Sequence, residues 1–380
     1  MSLLYDDAFF DRTIERHGSS SRKWDKYAGR DVLPFWIADM DFAAPASVLD
    51  AIRQRLDHPI LGYSDNRPAL TKALGQWLQN SFAWTIDSDW VVWLPGVVPG
   101  LNLAALTLEG QGSILIPTPV YYPFLEIASD ARLTEIRTPM ASSNGHWEID
   151  FDRMATDIRP DTRMLLICNP QNPTGRCYTR EELSKLAEFV EQHDLLLVCD
   201  EIHCSIILDE NSEHHSIASE FPHIKNRTVV LYAMTKTYNI PALSCAAAVI
   251  PDAGLRKRFL DARVGIVPSV GPLELIATLA ALEDQSNYVP TLLGYLRENL
   301  ALVAGAVGPR LTHLEGTYLA WIDVQDLAIG DVETYFESFG LGLSPGNQFG
   351  KDGYVRFNFA CPQHLLHRGL DRLTAALNPK

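Results

Sequence analysis

The chain has 380 residues, 47% of them hydrophobic and 21% charged, the balance of a globular enzyme with a large core and room for more than one lobe. A formal net charge of -15 argues against a nucleic-acid binder, which would carry a basic face. Six cysteines without a CxxC pair suit buried free thiols in a reducing compartment. The acidic start (Asp6, Asp7, Asp11) and an apolar stretch no longer than Cys245–Ile250 give no signal peptide and no membrane span, so a cytoplasmic location is expected.

In chain order, residues 1–45 look irregular around one motif, Phe35-Trp-Ile-Ala-Asp-Met-Asp-Phe42. Periodicity predicts helices over 46–56 and 68–82, the second with Leu70, Ala73, Leu74, Trp77 and Leu78 on one face. Strands and helices then alternate: strand 91–94, helix 99–108, strand 113–116, helix 122–129, strand 164–168, helix 180–193, and strands 195–199, 229–232 and 246–250. Thr179-Arg-Glu-Glu182 is a capping box at the start of the 180–193 helix. Strands apolar throughout and separated by helices indicate an α/β fold with a mainly parallel sheet covered on both faces. After about residue 285 long helices precede strands at 318–324 and 354–359, the texture of a smaller α+β lobe. The expected division is a large domain over 46–285 and a small one from 1–45 and 286–380.

Three polar signals fall at or just past the C-terminal ends of apolar strands: Asn172-Pro-Thr-Gly175, Asp200, and Lys236 in Tyr-Ala-Met-Thr-Lys-Thr-Tyr-Asn239. Each alone has a plain reading, as a loop, a turn aspartate or a surface lysine. Together they are what pyridoxal 5'-phosphate (PLP) asks of a protein: a lysine for the Schiff base, a carboxylate for the pyridine nitrogen and an amide for the ring hydroxyl. Gly96-Val-Val-Pro-Gly100 follows a strand and opens a helix, so its free N–H groups can cradle a phosphate. Tyr121 can stack on a ring, His203 can support Asp200, and Arg356 can fork a substrate carboxylate; packing and structural ion pairs are the alternatives. No metal site is expected, because the histidines lack ligand spacing, and no GxSxG elbow or GxGxxG loop occurs.

These motifs, with Lys23-Trp-Asp25, Gly62-Tyr63, Pro119-Val-Tyr-Tyr-Pro-Phe124 and Val355-Arg-Phe-Asn-Phe-Ala-Cys-Pro362, keep their order over nearly the whole chain. The sequence resembles fold-type I PLP enzymes of the aminotransferase superfamily, and within them the MalY/PatB group of cystathionine β-lyases, or C–S lyases. The resemblance implies a seven-stranded-type sheet and a catalytic set of Lys236, Asp200 and Tyr121. Asn172, His203 and Thr235 would be further cofactor contacts, with the backbone of Val97 and Val98 on the phosphate. Arg356 and Asp39 would meet the amino-acid substrate. Tyr63 would reach the cofactor phosphate of a second subunit, which implies a homodimer with shared sites. The chain departs from the group at Ser205, at Ile240-Pro-Ala-Leu243 and at Ala233. The implied reaction cleaves a cysteine S-conjugate to a thiol, pyruvate and ammonia. The same constellation serves an aminotransferase, and a regulatory binding protein on this fold is a third alternative.

Overall fold

The computed structural model describes residues 4–65, 68–327 and 329–378. Residues 1–3 of the expected irregular N-terminal stretch lie outside them. Seven strands form the central sheet: β1 (Val91–Leu94), β2 (Ser113–Thr118), β3 (Thr134–Pro139), β4 (Thr162–Cys168), β5 (Leu196–Asp200), β6 (Thr228–Tyr232) and β7 (Ala246–Val249). Their spatial order is β1-β7-β6-β5-β4-β2-β3. The pairs from β6 through to β3 are parallel, while β7 pairs antiparallel with both β1 and β6. The sheet is therefore α/β and mainly parallel, as its unbroken apolar runs require.

Successive strand residues enter opposite cores. Leu165, Ile167, Leu197, Cys199, Val230 and Tyr232 lie in one cluster; Leu166, Cys168, Val198, Val229 and Leu231 lie in the other. That parity puts Asp200 on the face of Val198, the face covered by the helix α1 (Val97–Leu106). α1 lies close on the sheet because Gly100 has no side chain. A Cβ there would come within 2.8 Å of Leu231 Cδ2. The helix begins at Val97 and not near Pro99, because Gly96 turns the chain with φ +124° and serves as its N-cap.

One strand of the central sheet escaped the sequence reading. β3 is an edge strand with exposed Thr134, Arg137 and Pro139, so it lacks the apolar run that marks its neighbours. The hairpin Ala141–Ser143/His146–Glu148 and the helices Phe151–Asp157 and Ala253–Arg263 are further additions.

A second sheet pairs β8 (Leu319–Asp323) with β10 (Tyr354–Asn358), and β10 with the short β9 (Ser344–Pro345), all antiparallel. Its core joins both chain ends: Tyr5, Phe10, Leu33, Phe35 and Met40 pack with the helices Tyr288–Val307 and Gln363–Leu377. Short elements order the N-terminal stretch expected to be irregular. Asp7–Phe10 and Arg22–Asp25 are single helical turns capped by Asp6 and Ser21, and Leu33–Pro34 pairs in parallel with Leu341–Gly342. Among the described residues no helix is long and apolar enough to cross a membrane.

Candidate active site

Cys168 of β4 lies opposite Asp200 of β5, and Asp200 opposite Leu231 of β6. Three adjacent strands thus end level, and the segments leaving them carry Asn172, Asp200 and Lys236 to one edge of the sheet. The α1 N-terminus opens on the same edge. There a cavity of about 260 Å³ is lined by Val97, Val98, Tyr121, Asn172, Asp200, His203, Thr235 and Lys236. The pocket therefore gathers eight of the residues singled out from sequence. A larger open cleft, about 1300 Å³, runs along the helix Pro68–Phe82 and holds none of them.

Burial sets the electrostatics. It lowers the Lys236 amine to about 8; Arg356 adds to the fall, and Asp39 and Asp200 oppose it. It raises the Asp200 carboxyl to about 7, against the Ile202 N–H that donates to its Oδ1 at 3.0 Å and the nearby Lys236. It holds His203 well below the ordinary imidazole value. A lysine brought near neutrality can act as base or nucleophile, and a carboxylate held in apolar surroundings interacts strongly with any cation placed beside it.

Arg356 rises from β10 of the second sheet. Its Nη1 donates to Asn172 Oδ1 at 3.0 Å and its Nη2 to the Trp36 carbonyl at 2.7 Å, while Nε is buried without a partner. The guanidinium lies over the Phe349 ring at 4.7 Å, and burial lowers it to about 10. Lys236 Nζ donates to the Ala38 carbonyl at 2.7 Å, which also accepts from Tyr318 Oη at 3.0 Å. Sequence reasoning missed Ala38, Ser244, Tyr318 and Ser344. The first two line the cavity and the last two hold the segment beside it. Only the Trp36–Phe42 motif hinted at the first.

Three expected residues are not in the cavity lining: Arg356, which adjoins it through Asn172, and Asp39 and Tyr63, which stand elsewhere. Asp39, expected on the substrate, is outside the cavity wall. Its carboxylate pairs with Arg16 at 2.7 Å and faces the buried Lys23 at 3.5 Å, so two cations of the protein take up its charge. Tyr63 is fully exposed at 110%, on a segment that also exposes Ile60 and Leu61. Within one chain it contacts no part of the pocket.

Behind the sheet, Glu201 Oε2 pairs with His214 Nε2 at 3.0 Å, both side chains buried. A third group, His146, His313 and Glu315, lies within ligand distance of one another. Glu315 is already engaged, by Arg176 and by the Cys177 N–H at 2.7 Å. Arg176 in turn forks onto Glu182 at 2.8 and 3.1 Å, and Glu182 closes the expected capping box with Thr179. The turn holding Asn172 is thereby tied to the helix Arg180–Gln192.

The pocket fits PLP. The N-terminus of α1 has no side-chain cap, so its N–H groups face the cavity free for a phosphate, with the hydroxyls of Thr235 and Ser244 on the wall. His203 Nδ1 is buried without a hydrogen-bond partner in the cavity that Asp200 also lines, where a polar ring substituent would satisfy it.

Residues 30–373 match the aminotransferase class I and II family. The chain belongs to that family. It is 31% identical to the cystathionine β-lyase PatB of Bacillus subtilis, over 97% of this chain and 100% of that protein. Its fold matches the crystal structure of OvoB with a TM-score of 0.94 and 38% identity, covering 98% of this chain and 99% of that one. It matches the PLP-bound C–S lyase of Staphylococcus hominis with a TM-score of 0.91 and 28% identity, over 99% and 98%. The family's cofactor is the one the pocket suits.

Proposed function

We propose that this family member is a PLP-dependent carbon–sulfur β-lyase that converts cystathionine or a related L-cysteine S-conjugate to a thiol, pyruvate and ammonia. The observation that carries the reading is the enclosure of Lys236 and Asp200 in one buried pocket with Arg356 beside Asn172. The choice of β-elimination over amino transfer draws on the full-length likeness to PatB.

When bound, PLP links to an amine and draws electrons from the carbon that bears it. The chain's residues prepare that withdrawal. Lys236 would supply the amine and, when free, would take the α-proton on Nζ; burial lowers it toward the neutral form that this requires. Asp200 would set its carboxylate against the pyridine nitrogen, whose positive charge would favour the ionised acid, and Asn172 and His203 would bond the ring's polar edge. Val97 and Val98 hold the phosphate through their backbone N–H groups. Tyr121 would stack on the ring, and Thr235 would hold the cofactor beside Lys236. Arg356 holds the substrate carboxylate in a two-point fork, which orients the α-proton toward Lys236. The sulfur leaves as a thiolate that takes up a proton.

The second subunit enters through Tyr63. Its complete exposure, next to Ile60 and Leu61, suits a surface covered by another copy of the chain, with Tyr63 reaching that copy's phosphate site.

The test is to mix the purified protein with L-cystathionine, with and without a keto acid. Thiol, pyruvate and ammonia without any keto acid support the lyase. Amino-group transfer that depends strictly on the keto acid, with no thiol, makes the protein an aminotransferase.

A further inference from the structure

Of the Trp36–Phe42 motif only Ala38 lines the cavity, yet nearly every peptide group in the motif is bonded. On its inner side the Trp36 carbonyl accepts from Arg356 at 2.7 Å and from Ser344 at 2.7 Å, and the Ala38 carbonyl accepts from Lys236. Asn358 Nδ2 bonds the Ile37 and Asp39 carbonyls, each at 2.6 Å. Asn239, three residues past Lys236, bonds the Met40 N–H at 2.9 Å and the Met40 and Phe42 carbonyls at 2.9 and 2.7 Å. The segment therefore touches both groups that meet substrate and cofactor.

On its outer side lies a cluster of four charges. Asp41 accepts from Lys23 Nζ at 2.7 Å, from Arg16 Nη1 at 2.6 Å and from Trp24 Nε1 at 2.8 Å. Arg16 also forks onto Asp39, through Nη2 at 2.7 Å and Nη1 at 3.3 Å. Lys23 is fully buried and gives a further bond to the Asp39 carbonyl at 3.1 Å. Two cations and two carboxylates balance. Burial alone would raise the Asp41 carboxyl, but Lys23 and Arg16 outweigh it and hold Asp41 below the ordinary carboxylate range. A buried group of this kind contributes little net stability compared with apolar packing, so its geometry is the better clue to its use.

We propose that Asp41 and Arg16 are positioning residues. Their cluster with Lys23 and Asp39 grips the Trp36–Phe42 segment from outside and so fixes the two carbonyls that aim Arg356 and Lys236. Neither residue touches substrate or cofactor. The assignment rests on Lys236 and Arg356 acting as described above, but not on which bond the enzyme breaks.

The test uses opposite changes of charge. Asp41→Asn leaves the cluster with an excess positive charge, and Arg16→Gln with an excess negative one. The charged groups that act on Lys236 are Arg356, Asp39 and Asp200, with buried His203 and Tyr318 adjoining. None of the five is substituted in either variant, although Asp39 loses its Arg16 partner in Arg16→Gln. Two quantities are read on the holoenzyme: the pH midpoint of its visible absorbance change, and the half-saturating concentration of L-alanine seen in the same band. The midpoint is expected to fall in Asp41→Asn and rise in Arg16→Gln, by roughly half to one pH unit. Half-saturation is expected to rise about threefold to tenfold in both, as Arg356 loses its fixed partner. Arg16→Lys keeps the charge and should return the midpoint to the wild-type value. If Asp41→Asn does not fold, the upward shift in Arg16→Gln decides alone. Midpoints that move the same way or not at all, or half-saturation within about twofold of wild type, overturn the proposal and leave the cluster a purely structural one. Borohydride fixation of the cofactor to a lysine other than Lys236 in the wild type would instead sink the site assignment itself.

Discussion

Asn172 and Arg356 are 184 residues apart in sequence and share a hydrogen bond of 3.0 Å inside the active site. The bond ties the turn after β4 to β10 of the second sheet. It also fixes which way the Asn172 amide points, because an oxygen occupied by Arg356 leaves the NH2 group for the cofactor. Asn172→Asp turns this contact into an ion pair that spends the guanidinium charge within the protein. The expected outcome is retained cofactor absorbance with the KM for amino acid raised at least about tenfold. Arg356→Ala should weaken kcat/KM by about 2–5 kcal/mol. Steady-state kinetics with the cofactor content measured in parallel checks both.

The role proposed for Asp200 depends on its charge. Asp200→Asn keeps the size and removes the anion proposed to face the pyridine nitrogen. Turnover should fall roughly 10²-fold or more while the protein stays yellow. Single-turnover rates on cofactor-loaded variant decide; a rate near wild type would refute the role.

Lys236 predicts a pH-dependent stability in the cofactor-free protein. Its folded value of about 8 lies below the ordinary 10.5. Between the two the unfolded chain binds a proton that the folded chain does not, so stability rises with pH across that window. Wild type should gain stability relative to Lys236→Met between pH 8 and 10, where the variant lacks the term. Urea unfolding of both at several pH values measures it, and parallel curves would contradict the burial argument.

Shared sites predict complementation. Tyr63→Ala and Lys236→Ala, each inactive alone, should regain some activity when mixed and allowed to exchange subunits, because hybrid dimers hold one intact site. No recovery after exchange is verified by native mass spectrometry would count against Tyr63 serving a second subunit.

What the sequence revealed follows burial. β1, β4, β5 and β6 are covered on both faces and read as apolar runs, so the ends that carry Asn172, Asp200 and Lys236 could be placed from them. β3 is half solvated, and its Glu135 and Arg137 hid it. The N-terminal segment was opaque for another reason. Its order comes from short capped turns, scattered apolar anchors and the ion pairs between Arg16, Lys23, Asp39 and Asp41, which leave no periodic pattern. Asp39 was accordingly assigned to substrate from its motif, whereas its partners are cations of the protein. No local signal foretold that Arg356 would meet Asn172.

The strand carrying Asp200 holds a second carboxylate one step further on. Glu201 continues the ladder, its N–H donating to the Leu231 carbonyl at 2.9 Å, but faces away and is held by His214. Side chains alternate, so the sheet sorts two neighbouring acids by odd and even position. A one-residue deletion within Leu195–Cys199 would swap that parity. Glu201 would arrive at the cofactor face with a longer arm, and His214 would lose its buried partner. Substitution at Asp200 tests one charge; a frame slip of β5 exchanges the front and back chemistry of the sheet in a single step.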